Sequence, residues 1–419
     1  MRQLLSLILL GVLVGLACWP LNLIDHWQDL LLRHLPAFSL DGWTPLARGL
    51  ALAPLVVMPL LLLLQNGAFA RGKGSGIPQT VACVEDPEQG DQLLGITPTL
   101  LRLGLWSLAS LALFPLGREG PVVQVGAAVA QALRSRWPGL FGGLKPQEVL
   151  AVAAGAGLAG GFNTPLMGVV FIAEELMSRF NATLIWPALL VCGAAAAISQ
   201  LGGQPMFALG LITNQTGEIE QYLWAIPIGL LGGLLGGLMG RLLLLVTAWV
   251  SPMAKKRPIL IGLVLGGGLS AMALVSEGAS GGDGEALMST WIQDEAAWPG
   301  RGLSTLVVRL IGPVVALGAS VPGGLIDPAF ALGAVFGHGF MHLVGGSAEL
   351  GLALGMAATL AGISQLPVMT IAFAIRLAGD QQLGAGLLIA SVVGAMAGRL
   401  LLDRPIYHAL ADLQRAPRR

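Results

Sequence analysis

The sequence predicts an all-α polytopic membrane protein built from two related halves, and three observations carry that reading. Hydrophobic residues fill 55% of the 419 positions and charged residues 11%, with a mean hydropathy of +0.77, outside the range of a soluble globular domain. Charge-free stretches about as long as the ~20 apolar residues a helix needs to cross hydrocarbon recur along the chain. Two segments of the first half return, weakly, in the second.

The first stretch, 3–24, has one Arg before it and lacks a small-x-small cleavage site, so it reads as a first membrane helix rather than a signal peptide. Further charge-free runs cover 49–70, 150–173, 181–217, 258–276, 350–375 and 381–398, and others are interrupted by one charge. In lipid every backbone polar group must be satisfied internally. Runs rich in Leu, Ala and Gly without alternation are therefore helices, not barrel strands. The 60 glycines and 25 prolines sit within these apolar stretches, where small residues let helices pack closely and Gly/Pro breaks let them stop inside the membrane.

Basic residues gather at Arg71/Lys73, Lys255/Lys256/Arg257 and Arg415/Arg418/Arg419, which the positive-inside rule makes cytoplasmic candidates. Formal net charge is zero, so neither nucleic acid nor another polyanion is implied as a partner. Cys18, Cys83 and Cys192 have no paired spacing, and neither a disulfide nor a zinc framework is expected. Only 12 residues follow Tyr407, so no soluble C-terminal domain is expected. The whole chain, 1–419, reads as a single transmembrane domain with a first half of about 1–210 and a second of about 215–419.

The repeat is read from two matches. LAGGFNTPLMGVVFIAE from Leu158 aligns with LAGISQLPVMTIAFAIR from Leu360 at an offset of 202 (360 − 158), and GREGPVVQVGA from Gly117 aligns with GLIDPAFALGA from Gly324 at 207 (324 − 117). One such match could arise from Gly/Ala-rich composition alone. Two in the same order at nearly equal offsets argue for duplication, and halves with broken helices place a substrate site near the midplane where they meet. The letters do not say whether the second copy is inverted.

Three Gly/Pro-rich breaks share one shape, a flexible loop followed by a proline in the first turn of an apolar helix: Gly74-Ser75-Gly76-Ile77-Pro78, Gly117-Arg118-Glu119-Gly120-Pro121 and Gly323-Gly324-Leu325-Ile326-Asp327-Pro328. A helix N-terminus exposes unpaired N–H groups and a partial positive charge, which holds a dehydrated anion without burying a full cation. Proline suits the first turn and glycine lets the backbone approach the ion. The candidate anion-binding set is Ser75, Gly76, Ile77, Gly117, Arg118, Gly120, Leu325 and Ile326. Glu119 stands among them. A carboxylate between apolar helices costs about 2.5–3.5 kcal/mol or more, and a salt bridge to the adjacent Arg118 is the weaker account because neighbouring residues on a helix point in different directions.

GSGIP, GREGP, the following FNTPLMGVVFIAEE and a terminal Pro-Ile-Tyr stand in order over roughly residues 45–412, and as a set they resemble the CLC family of chloride channels and chloride/proton antiporters. The resemblance implies an inverted repeat of tilted and broken helices in the cell (inner) membrane. It also implies chloride and protons as the transported species, no cofactor, and a homodimer whose contact surface involves the segments around 165–200 and 366–400. It assigns Ser75 and Tyr407 to hydroxyl contacts with the central chloride, Glu119 to the external gate and Glu175 to internal proton transfer. Serine at 75 favours chloride, since nitrate-selective relatives tend to carry proline there. Ser75 and Tyr407 also argue against the fluoride-exporting branch.

The alternatives for these residues are ordinary ones. Ser75 could be a loop or N-cap serine, Tyr407 a membrane-interface tyrosine, and Glu175 a surface carboxylate paired to Arg179 at i+4. Glu174 is read either as an aid to proton exit or as solvated. His338 and His342 at i, i+4 could bring two metal ligands to one face, but two polar residues near a helix end are the plainer reading, and no metal site is expected. The chain departs from the family at Ile326 and Asp327, where the third motif usually reads G-x-F-x-P, at Arg376, and at Gln79. Asp327 is expected to face solvent, pair with Arg309, or tune selectivity. The expected function is chloride/proton exchange. A passive anion channel of the same fold is the first alternative, and an intramembrane enzyme, for which there is no HExxH signature and no Gly-x-Ser-x-Gly around Ser75, is the second.

Overall fold

The computed structural model describes residues 1–202, 218–293, 298–379 and 381–415. The first half forms α1 (Arg2–Leu32), α2 (Pro45–Asn66), α3 (Ile77–Glu85), the short α4 (Gly90–Leu93), α5 (Ile96–Leu111), α6 (Glu119–Arg136), α7 (Pro146–Phe162), α8 (Pro165–Phe171) and α9 (Ala182–Ser199). The second forms α10 (Glu218–Lys256), α11 (Pro258–Val275), α12 (Glu285–Gln293), α13 (Trp298–Gly318), α14 (Ile326–Val344), α15 (Ala348–Ser364), α16 (Pro367–Ala378), α17 (Gly384–Gly398) and α18 (Ile406–Arg415). Seven of the described helices are long and apolar enough to cross a membrane. The proposed boundary between the halves, 210–215, lies outside the described residues.

Two charge-free runs that the sequence offers as continuous, 150–173 and 350–375, are each broken in two. Asn163 (φ 50°) ends α7 and Gln365 (φ 57°) ends α15 in the left-handed conformation, and Pro165 and Pro367 then open α8 and α16. The left-handed residue stops one helix, and a proline two residues on has no N–H to donate to the i−4 carbonyl.

These breaks repeat at the offset read from the letters, since 365 − 163 = 202. The bounds of α7, 146 and 162, become those of α15, 348 and 364, when 202 is added. The second offset, 207, carries the end of α5 (111) to the end of α13 (318) and the start of α6 (119) to the start of α14 (326). Packing repeats as well: α6 lies on α7 and α14 on α15, while α1 covers α7 and α9 as α10 covers α15 and α17. The contacts are close enough to require glycine. A Cβ on Gly126 would stand 2.0 Å from the Ala153 carbonyl, and one on its counterpart Gly333 2.2 Å from that of Gly355.

The hand of the repeat is visible where the halves touch. Gly117 and Gly324 are equivalent residues, and they pair with each other in an antiparallel bridge. Each donates its N–H to the other's carbonyl, at 3.1 and 2.7 Å. Equivalent residues paired in opposite directions lie on a local two-fold axis, so the second half is inverted relative to the first.

Candidate anion and proton site

Around that axis three helix N-termini are bound backbone to backbone. Gly74 N–H donates to the Ser320 carbonyl at 2.9 Å, which ties the loop before α3 to the loop before α14. Gly76 has φ +115°, and a Cβ there would lie 2.4 Å from the Gly120 carbonyl, so only glycine lets α3 start against α6. Buried Arg102 on α5 fixes the first loop by donating to the carbonyls of Lys73 and Gly74, both at 3.0 Å, and to Gln124. The Gln79 side chain accepts the Gly76 N–H at 2.9 Å, so this departure from the family pattern serves as a local cap.

Ser75, Leu325 and Tyr407 line one pocket, together with Ser320 from the third loop and Thr247 from α10. The Ser75 hydroxyl is buried and makes no hydrogen bond within the protein. Tyr407 is 2% exposed, at the start of α18, and is therefore not an interfacial tyrosine.

Glu119 opens α6 fully buried. Its Oε1 accepts the Asp327 N–H at 2.5 Å, which seats the carboxylate on the N-terminus of α14. Room for it comes from two glycines: a Cβ on Gly117 would lie 2.2 Å from Oε2, and one on Gly324 1.1 Å. Arg118 turns away, forming a buried ion pair with Asp25 of α1 and lying 4.8 Å from the centroid of the Phe162 ring. The Glu119–Arg118 pairing weighed from the sequence does not form, and the Arg118 side chain is committed to Asp25 and Phe162.

Asp327 is fully buried, and both its carboxylate oxygens are without a hydrogen-bond partner. That rules out the solvent-facing position. It rules out the pairing with Arg309 too, because the guanidinium is spent on the carbonyls of Ala279, Gly281 and Gly282 at 2.7–3.0 Å.

Glu175 sits in a π-helical turn, Ile172–Leu176, and is 1% exposed. Neither of its oxygens is hydrogen-bonded. The surface ion pair considered for it is absent, since Arg179 binds Glu148 at 2.5 Å. Glu174 points elsewhere, accepting the N–H groups of Val368 (3.2 Å) and Met369 (2.8 Å) at the start of α16. It is a partly exposed helix cap across the two halves. Arg376 is exposed. His342 is exposed as well, whereas His338 is buried edge-on to Trp291 with centroids 5.0 Å apart, so the two histidines do not share a surroundings in which both could bind a metal.

Sequence reasoning missed Arg102, Asp25 and His408. The signal for Arg102 was present, because it is the lone charge of α5, and a charge inside an apolar helix is retained for a partner. Asp25 follows the run 3–24, and only the fold brings it to Arg118.

An inverted pair of helical halves that meet at clustered helix N-termini defines a polytopic membrane protein with a central, backbone-built site. The chain belongs to the voltage gated chloride channel family, whose profile matches residues 55–399. It is 27% identical over 389 residues to the H(+)/Cl(-) exchange transporter ClcA of Vibrio campbellii, covering 84% of this chain and 80% of that one. To the protein of the same name from Vibrio cholerae it is 29% identical over 354 residues (80% and 73%), and to that from Cronobacter sakazakii 26% over 423 residues (96% and 87%). Among solved structures it is similar to a slow cyanobacterial Cl-/H+ antiporter (TM-score 0.79, 22% identity, 100% of this chain and 99% of that one). A CLC-type fluoride/proton antiporter is similar in fold as well (TM-score 0.78, 22%, 96% and 97%).

Proposed function

We propose that the chain exchanges chloride for protons across the cell's inner membrane, as a homodimer with one pathway per subunit. The observation that carries this reading is the seat of Glu119. A carboxylate already occupies the Asp327 N–H in the first turn of α14, so a negative group and a permeating anion compete for one place. Protonation removes the charge that holds the side chain there, and chloride enters as the neutral carboxyl leaves. Below it, the unpartnered Ser75 hydroxyl and Tyr407 face the pocket in which a chloride would rest, and hydroxyl donors with backbone N–H groups compensate its lost hydration. Proton passage is assigned to Glu119 and Glu175. Burial of Glu175 without a hydrogen bond to either oxygen, and without the Arg179 pairing, favours exchange over a passive channel, because a buried carboxylate in the membrane is costly unless it serves a proton path.

The names of the relatives agree with this reading. It is tested by reconstituting the protein in liposomes and imposing a chloride gradient without a proton gradient. Uphill proton movement is the expected result. Chloride flux with no proton movement would make the chain a passive anion pathway.

A further inference from the structure

We propose that His408 hands protons between Glu175 and the aqueous face of the protein, with Glu85 as the outer partner. The inference rests on the reading of Glu175 as a proton-transfer group. A carboxylate that is 1% exposed needs another group to reach water, and its neighbours in sequence are committed: Glu174 caps α16 and Arg179 binds Glu148. His408 remains. Its Nε2 lies 3.6 Å from Glu175 Oε1, and its Nδ1 lies 4.0 Å from Glu85 Oε1 on α3. Side-chain exposure rises along the series from 1% at Glu175 to 32% at His408 and 49% at Glu85.

An imidazole between two carboxylates can do what neither carboxylate can alone. A proton taken up on Nδ1 from Glu85 or water gives the imidazolium. The proton on Nε2 then passes to the Glu175 carboxylate, and the ring is left neutral in its other tautomer. One proton enters and one leaves, with no co-reactant. The two gaps exceed hydrogen-bond length, and a small rotation of the ring or one bridging water closes each. Asp412, one turn further along α18, is bound by Arg404 at 2.9 Å, and the neighbouring stretch of α10 contributes Leu243 and Thr247 to the pocket beside Tyr407.

The test compares wild type, His408→Gln, His408→Asn and Glu175→Gln in liposomes, with proton and chloride turnover measured on the same preparation. Positioned proton transfer is worth ~10²–10⁴-fold, and solvent at a half-exposed ring recovers part of it, so both His408 variants should lose about tenfold or more in proton turnover. Chloride turnover should stay at the wild-type level, which also reports that the variants are folded. In a further variant, His408→Ala, added imidazole should restore proton movement. A wild-type proton-to-chloride ratio in the His408 variants, with coupling lost in Glu175→Gln, overturns the relay and leaves the Glu175 assignment standing. Coupling retained in Glu175→Gln overturns both.

Discussion

A methyl group at position 117 is enough to test where the gate rests. The three atoms nearest a Cβ on Gly117 all belong to the Glu119 side chain, at 2.2–2.7 Å, and Gly117 is not among the residues with positive φ. Alanine there acts by volume alone, and the flexible carboxylate gives way. Gly117→Ala should therefore lift Glu119 off the Asp327 N–H and leave a chloride flux that no longer varies with pH. Glu119→Gln should do the same and abolish proton coupling. A folded Gly117→Ala protein with wild-type pH dependence would show that the carboxylate does not rest between the glycines. Ser75 is tested through selectivity. Its hydroxyl is buried and free of protein partners, so Ser75→Pro strands no hydrogen-bonding group and should raise nitrate relative to chloride transport. An unchanged anion ranking would reduce Ser75 to a turn residue. Asp327 shows what the letters could not tell: all three readings weighed for it were compatible with the sequence, and one was removed by its burial and another when α13 was seen to spend Arg309 on the carbonyls of Ala279, Gly281 and Gly282.

Elements decide the contrast between Glu174 and Glu175, adjacent residues with separate surroundings. The π turn over Ile172–Leu176 directs one carboxylate to the N-terminus of α16 and leaves the other buried beside α18. Glu174→Ala removes an N-terminal cap, which should cost about 1 kcal/mol of stability and leave the proton-to-chloride ratio unchanged. Glu175→Gln should abolish proton transport while chloride flux persists. Equal loss of coupling in both would mean that the cap, or the α8–α16 contact it holds, is itself part of the proton path. A π turn has no signature in a single sequence, whereas the starts of α3, α6 and α14 were legible because a Gly-rich loop with proline in the first turn is a local signal. The partner of the first loop in the second half was not legible. Gly282 and Gly284 (φ 68° and 115°) stand to α12 as Gly74 and Gly76 (φ 86° and 115°) stand to α3, and α3 and α12 are both nine residues long. The two loops share little beyond Gly-x-Gly, with Asp283 where Ser75 stands. Behind them Arg102 and Arg309, again 207 apart (309 − 102), each bind loop carbonyls. The fold kept the backbone and its arginine clamp while the chemistry of the loop changed sign.

For the whole molecule, the two-fold axis inside the chain also bears on its surface. Leu166 and Val368 are equivalent at the 202 offset and are 65% and 45% exposed; Trp186 and Leu388, equivalent in the same way, are 70% and 51% exposed. Both halves thus present matching apolar side chains on α8, α9, α16 and α17. Lipid alone would satisfy such a surface. The repeated composition fits a second copy of the chain equally well, since a two-fold dimer presents one patch to itself, and these segments fall within the ranges expected for the dimer contact from the sequence. Cysteine cross-linking separates the two cases cleanly because Cys18, Cys83 and Cys192 are all buried, which keeps background reaction low. Leu388→Cys or Met396→Cys should give a covalent dimer in membranes with a short bifunctional maleimide. Val56→Cys is the control: it is 70% exposed on α2, which packs against α11 and α5 and away from the patch, and it should stay monomeric. Cross-linking at Val56 in preference to Leu388 and Met396 would move the interface to the α2 side. If the patch is the interface, the pathways should remain independent: each subunit contains its own Ser75, Glu119, Glu175 and Tyr407, and the axis relating Gly117 to Gly324 lies within one chain. A dimer cross-linked through Leu388→Cys should then exchange chloride and protons at the wild-type ratio, and one carrying Glu119→Gln in a single subunit should retain half the proton turnover.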